Sequence, residues 1–180
     1  MGSTRVIYYE YDDQNRITKI TNDYGNSTSI CTLSYNSVGD LISFKLEEEG
    51  YDRLITFSRN GNIITVTYGY GIETLELNAE ELIVRYTFDT IQEDFWAKDE
   101  ITFEYQGKNI VKAINVFEFF ESGRYYSGTD VFTFTYDNPK SPFYHCNTPQ
   151  WFFFWYYNFD FGVQNNAKTL DRGDDDKIET

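Results

Sequence analysis

The chain has 180 residues, enough for one domain that buries its own core without disulfide or metal staples. Its formal charge is −14, from 15 basic and 29 acidic residues, which sets it against phosphate backbones and anionic membrane surfaces as partners. Aromatic residues make up 19% of it, alanine is scarce and Met1 is the only methionine, a bias toward half-buried pleated surfaces and against a helical bundle.

Met1-Gly2-Ser3 reads as an expression remnant ahead of a mature start. From residue 5 to residue 136 the chain repeats one grammar: a strand ends near an aromatic residue, a short turn rich in Asp, Asn or Gly comes next, and a second strand opens with Ile, Leu or Val. The instances are Tyr11-Asp12-Asp13-Gln14-Asn15-Arg16-Ile17, Tyr35-Asn36-Ser37-Val38-Gly39-Asp40-Leu41 and Phe57-Ser58-Arg59-Asn60-Gly61-Asn62-Ile63. Leu77-Asn78-Ala79-Glu80-Glu81-Leu82 departs further from the pattern. Tyr105-Gln106-Gly107-Lys108-Asn109-Ile110 returns to it, and Tyr136-Asp137-Asn138-Pro139 opens a sixth turn that does not finish. The first four lie roughly 20–24 residues apart, room for two strands and two turns. Asn60-Gly61 is a tight-turn pair, so Gly61 is expected at positive φ.

Between turns the pattern alternates. Ile42, Phe44 and Leu46 stand against Leu41, Ser43, Lys45 and Glu47; Ile101, Phe103 and Tyr105 stand against Thr102 and Glu104. Ile63–Val66 and Val116–Phe120 are apolar on both sides, so their second face is expected to be covered. Thr90–Lys98 reads as a long hairpin loop. About a dozen strands in chain order predict an all-β antiparallel meander, curled into an open or closed barrel, because twist accumulates in so large a sheet.

Residues 137–167 break the pattern. They hold Pro139, Pro142 and Pro149 and then Trp151-Phe152-Phe153-Phe154-Trp155-Tyr156-Tyr157, a run of seven residues that is too short to span a membrane. A 3.6-residue period puts Trp151, Phe154 and Trp155 on one face, so this segment is read as a loop with a short helix that plugs the apolar side of the sheet. Residues 168–180 are a last strand or an acidic tail. The whole of 1–180 is thus one domain.

The Tyr-Asp-x-x-Asn/Gly-Arg/Asn-Ile/Leu turns resemble the YD repeat of Rhs-type proteins. Over most of its length the chain resembles an uncharacterised domain family of Bacteroidetes lipoproteins with a porin-like fold. There, hairpin repeats lead to an Asp-x-x-x-x-Pro-Phe element, an apolar segment and an Asn-Asn element; Asp137–Phe143, Trp151–Tyr157 and Asn165-Asn166 correspond. The family's closing Tyr-x-Tyr-Asp-x-x-Gly hairpin is missing, and the chain ends on Asp174–Thr180 instead. The resemblance implies export, to the periplasm or as a lipid-anchored surface protein with its signal segment absent here, and implies no activity.

No residue set builds a recognisable catalytic or cofactor site. His145 is the one histidine and is followed by Cys146, but neighbours in an extended chain point apart, which argues against a Cys-His pair. Cys31 and Cys146 match no metal or redox spacing; they pair as a long-range disulfide or remain two buried thiols. Glu47-Glu48-Glu49 and Asp99-Glu100 are read as solvated runs at turns or strand ends, although two such carboxylates could hydrolyse a glycan at the right separation. Asp171–Asp176 lacks the closing Glu of a calcium loop and reads as a tail. The Asn26-Ser27-Thr28 sequon is set aside with the bacterial resemblance. The candidate binding residues are Trp96, Trp151, Trp155, Tyr125 and Tyr126, because aromatic rings stack on sugar faces and fill grooves. The expected function is a non-enzymatic binding or structural module of the envelope for a glycan or protein ligand, with no cofactor, no nucleic acid and no membrane span. A carboxylate-dependent glycan hydrolase is the alternative.

Overall fold

The computed structural model describes residues 5–69, 71–92, 95–140, 143, 145–157 and 165–177; for 92, 137–140 and 165–177 it describes the strand backbone alone. The first strands are β1 (Val6–Tyr11), β2 (Ile17–Asp23), β3 (Thr28–Tyr35), β4 (Leu41–Glu48), β5 (Tyr51–Asn60) and β6 (Ile63–Tyr68). Then come β7 (Gly71–Leu77), β8 (Ile83–Gln92), β9 (Phe95–Gln106), β10 (Asn109–Glu121) and β11 (Arg124–Lys140), the helix α1 (Gln150–Tyr156) and β12 (Asn165–Lys177). Strand order is chain order and the sheet is antiparallel, with β1 and β12 at its two ends. The expected all-β antiparallel meander is the fold.

The recurring turn has one cause. Asp12, Asn36 and Asn78 each head a loop and accept two backbone N–H groups on Oδ1. The donors are Gln14 and Arg16 (3.0 and 2.9 Å), Val38 and Asp40 (3.0 and 2.9 Å), and Glu80 and Leu82 (2.9 and 3.0 Å). Each head residue donates its own N–H to the carbonyl four residues on. The residue three on, Asn15, Gly39 or Glu81, takes positive φ and donates back to the head carbonyl. Asx side chains supply this cradle wherever the chain must turn back on itself. At Asp12 the Arg16 backbone N–H, helped by the Arg16 guanidinium, holds the carboxyl below its ordinary 3.8.

The strand after each turn begins in an equally regular way. Ile17, Leu41 and Ile83 open these strands, Ile110 is the second residue of β10, and all four are buried. The residue after each of them, Thr18, Ile42, Val84 or Val111, is skipped in the pairing register, a bulge that turns it off the core face. This corrects the simple alternation expected of β4. Leu41 and Phe44 are buried and Ile42 is exposed, because the bulge shifts the phase at Ile42. The Tyr35 hydroxyl then donates to the Ile17 carbonyl (2.9 Å) and the Tyr105 hydroxyl to the Ile83 carbonyl (2.6 Å), tying each opening residue to the next hairpin. Burial raises both phenols, that of Tyr35 to about 12.

Asn60-Gly61 forms the expected tight turn, with Gly61 at φ +61°. Gly61→Val is expected to lose roughly 1–2 kcal/mol in chemical denaturation, since a β-branched residue strains that conformation. Unchanged stability would show that the turn tolerates the strain.

The chain divides into two compact units, residues 1–58 with 145–149 and residues 59–144 with 150–180. In the first, segment 145–149 lies on the β1–β2 turn. Asn15 receives the Asn147 N–H on its carbonyl (3.0 Å) and donates its side-chain amide to the His145 carbonyl (2.7 Å). The buried Thr148 Oγ1 accepts the Ile17 N–H (2.7 Å) and meets the Tyr35 hydroxyl (3.2 Å). Cys146 is hydrogen-bonded to Asn15 and Thr148. Neither Cys31 nor Cys146 is in a disulfide, so the disulfide alternative falls, and only Cys31 is fully buried.

In the second unit α1 is the expected aromatic plug. Its buried set is Trp151, Phe152, Phe153 and Phe154, four residues in succession instead of a 3.6-period face, and Trp155 is only half-buried. A helix covered on nearly every side has no polar stripe to show. Phe154 meets Phe103 edge-on (5.2 Å) and Phe153 stacks on Phe143 (4.1 Å). Trp155 Nε1 donates to Glu73 Oε2, whose other oxygen accepts the Tyr68 hydroxyl (2.6 Å).

Other boundaries differ from expectation. Thr90–Lys98 is the paired end of β8 and β9, not a long loop, because Thr90↔Ala97, Ile91↔Trp96 and Gln92↔Phe95 continue the ladder. Tyr136–Pro139 is no turn: β11 runs on to Lys140. Asp171–Asp176 lies in β12 and is no free tail. Met1-Gly2-Ser3, Pro142 and the last three residues lie outside the described residues. No helix among the described residues is long and apolar enough to cross a membrane.

Candidate functional site

The ends of β8–β11 supply what composition alone does not place. In an antiparallel ladder, residues directly opposite one another share a face. Ile91↔Trp96, Trp96↔Phe120 and Phe120↔Tyr125 are opposite pairs, so four apolar side chains form one row across four strands. This face is opposite to the one that carries the buried Ala97, Phe103 and Ala113, and it bears solvent. Ile91 is 82% exposed and Tyr125 36% exposed, with Val116 also exposed further along β10. The expectation that the second face of Val116–Phe120 is covered is therefore not met.

The rings of Trp96 and Tyr125 approach to 6.0 Å at 44°, leaning toward each other across the strand of Phe120. Neither the Trp96 indole N–H nor the Tyr125 hydroxyl has a hydrogen-bond partner among the described residues. One register step inward on the same face is a polar row: Asp89↔Lys98, Lys98↔Glu118 and Glu118↔Ser127.

Of the five binding residues expected from the sequence, then, two meet here. Tyr126 faces the other way and stacks on Phe119 (4.6 Å, 15°). Trp151 is 3% exposed and Trp155 is bonded to Glu73; both belong to the plug. Ile91 and Phe120 escaped sequence reasoning, since only strand register brings them beside Trp96. The legible signal was the two-sided apolar run at Val116–Phe120.

The inner face of the same strands carries carboxylates. Asp99 sits mid-strand in β9, not at a turn, because pairing of β8 with β9 runs past it. Burial raises its pKa above the ordinary 3.8; an Asn115 hydrogen bond opposes this and the Asp130 charge adds to it. Asn115 and Asp130 are opposite each other, and the buried Asn115 Oδ1 has no hydrogen-bond partner among the described residues. A raised carboxyl favours the folded state when protonated, and that contribution is lost as pH rises from about 3.8 through the raised value. Asp99→Asn is expected to stabilise the domain at neutral pH and to make no difference at pH 3, measured as Tm against pH. A variant less stable at neutral pH would show that the charge is better accommodated than its burial indicates.

The other expected sites do not assemble. His145 is exposed, and Cys146 is engaged by Asn15 and Thr148. No group of three metal-ligating side chains occurs among the described residues. A groove of about 470 Å³ in the first unit is lined by Tyr24, Ser27, Thr28, Ser29, Glu48 and Glu49, and none of the expected binding residues borders it. Comparison of the chain with protein-family models, with curated proteins and with solved structures finds no match.

Proposed function

We propose that this chain is a binding module that presents the Ile91–Trp96–Phe120–Tyr125 row to a ligand. The observation that supports this reading is the apolar row itself, exposed at its ends Ile91 and Tyr125 and half-buried at Trp96 and Phe120, beside a polar row on a strand face that the plug does not use. Exposed large apolar groups gathered in one place mark interaction surfaces more often than isolated ones do. The envelope location, and membership of the lipoprotein domain family that the sequence resembles, form part of the same proposal and rest on that resemblance alone.

The test uses the wild-type chain and its three indole N–H resonances. Neutral oligosaccharides, acidic oligosaccharides and short peptides are titrated in turn. A ligand of this surface shifts the Trp96 signal and leaves Trp151 and Trp155 in place. Ile91→Ala is expected to change stability by no more than about 0.5 kcal/mol, as befits a surface position. The reading fails if no ligand moves Trp96, or if Ile91→Ala costs what a core residue costs.

A second reading has one observation in its favour: Asp99, raised by burial, shares the inner face with Asp130. A carboxylic acid and a carboxylate on one face are the parts of glycoside hydrolysis. Loss of glycan cleavage in both Asp99→Asn and Asp130→Asn would support it; a wild-type chain that cleaves none of the oligosaccharides removes it.

A further inference from the structure

The occupant of the row is constrained by three features: its direction, its flank and its charge. The row crosses the strands. Neighbouring strands are about 4.8 Å apart, so four side chains span about 14 Å. That length suits a short linear chain better than a single ring. The row is one residue deep along each strand, with charged or hydroxyl groups directly beside it. A globular protein partner would need a broad apolar centre ringed by polar groups, whereas a narrow apolar line with a polar line alongside matches a ligand that is itself apolar on one surface and polar at its edge.

A pyranose chain has that character. Its axial C–H faces stack on aromatic rings and its equatorial hydroxyls lie in the plane beside them. Asp89, Lys98 and Glu118 are exposed and form no ion pair with one another or with other described residues. Their donors and acceptors, with the Ser127 hydroxyl, the Trp96 indole N–H and the Tyr125 hydroxyl, are open to ligand hydroxyl groups. Charge selects within the class. The flank carries two carboxylates to one ammonium, on a chain of net charge −14, which disfavours uronate, sulfate and phosphate groups.

From this we infer that the row binds a neutral linear glycan laid across β8–β11, engaging a short oligosaccharide stretch and not one sugar. The inference rests on the binding-module reading and narrows it to one ligand class.

The experiment is calorimetric titration of the full chain with linear neutral oligosaccharides of glucose, mannose and N-acetylglucosamine, two to six units long, and with uronic-acid oligosaccharides of equal length. For at least one neutral series, affinity is expected to rise at least ten-fold from two to four units and then level off. The uronate series should bind at least ten-fold more weakly at low salt. Trp96→Ala should lower affinity ten-fold or more. So should Ile91→Asp, which alters a side chain outside the core, so the result does not depend on Trp96→Ala folding. Neutral binding that both variants leave unchanged overturns the inference, as does uronate binding of equal strength. If no neutral chain binds but a peptide moves the Trp96 indole signal, the glycan inference fails and the binding-module reading stands. If nothing moves that signal, both fail.

Discussion

Phe152→Ala is expected to cost the domain about 3–5 kcal/mol. Phe152 is fully buried in the middle of α1, against Trp151, Phe153, Trp155 and Tyr156, and it stacks on Tyr156 at 5.5 Å and 11°. A helix of seven residues has almost no stability of its own. It persists because its aromatic side chains fill space over the sheet. Truncating the central ring removes the transfer energy of the ring and leaves a cavity that the stiff neighbouring rings are poorly shaped to collapse into. Equilibrium denaturation gives the number, and Trp fluorescence adds a second readout, because Trp151 is then expected to become accessible to quencher. A loss below about 1 kcal/mol would mean that the plug repacks around the gap and does not carry the core of its unit.

Thr148→Val is expected to cost about 2 kcal/mol, with Thr148→Ser costing less. The two side chains of Thr and Val are nearly the same shape, so the change isolates one oxygen. That oxygen accepts the Ile17 N–H in a buried site, and without it the N–H has no partner at the first position of β2. A buried donor left unmet costs about 1–3 kcal/mol. Tyr35 keeps the Ile17 carbonyl as its acceptor, so its share of the loss is small. Amide hydrogen exchange at Ile17 should accelerate in Thr148→Val and stay slow in Thr148→Ser. Equal stability of the two variants would show that the contact contributes through packing alone.

Much of the architecture was legible from short-range chemistry. Asp12, Asn36 and Asn78 announce their turns because an Asx side chain satisfies its own loop within four residues, and Gly61 announces the tight turn because it alone of its neighbours adopts positive φ without strain. The all-β meander arises from repeating such turns between apolar strands. The aromatic run with its prolines marked a plug, since no soluble surface leaves Trp151 and Phe152–Phe154 all in water.

Register could not be read in the same way. One bulged residue reverses which face a side chain takes, and the bulges at Thr18, Ile42, Val84 and Val111 are set by pairing with another strand, not by the bulged residue itself. For that reason Ile42 was misplaced. The row joining Ile91 and Phe120 to Trp96 and Tyr125 depends on the ladder across four strands, and so does the separation of Tyr126 from its neighbour Tyr125. The contact of Thr148 with Ile17 spans most of the chain and leaves no local mark. Sequence thus determined the turns, the strand class and the plug, whose causes lie within a few residues. Tertiary structure decided which aromatics were spent on the core and which were left on the surface, because that choice is made by partners far away in the chain.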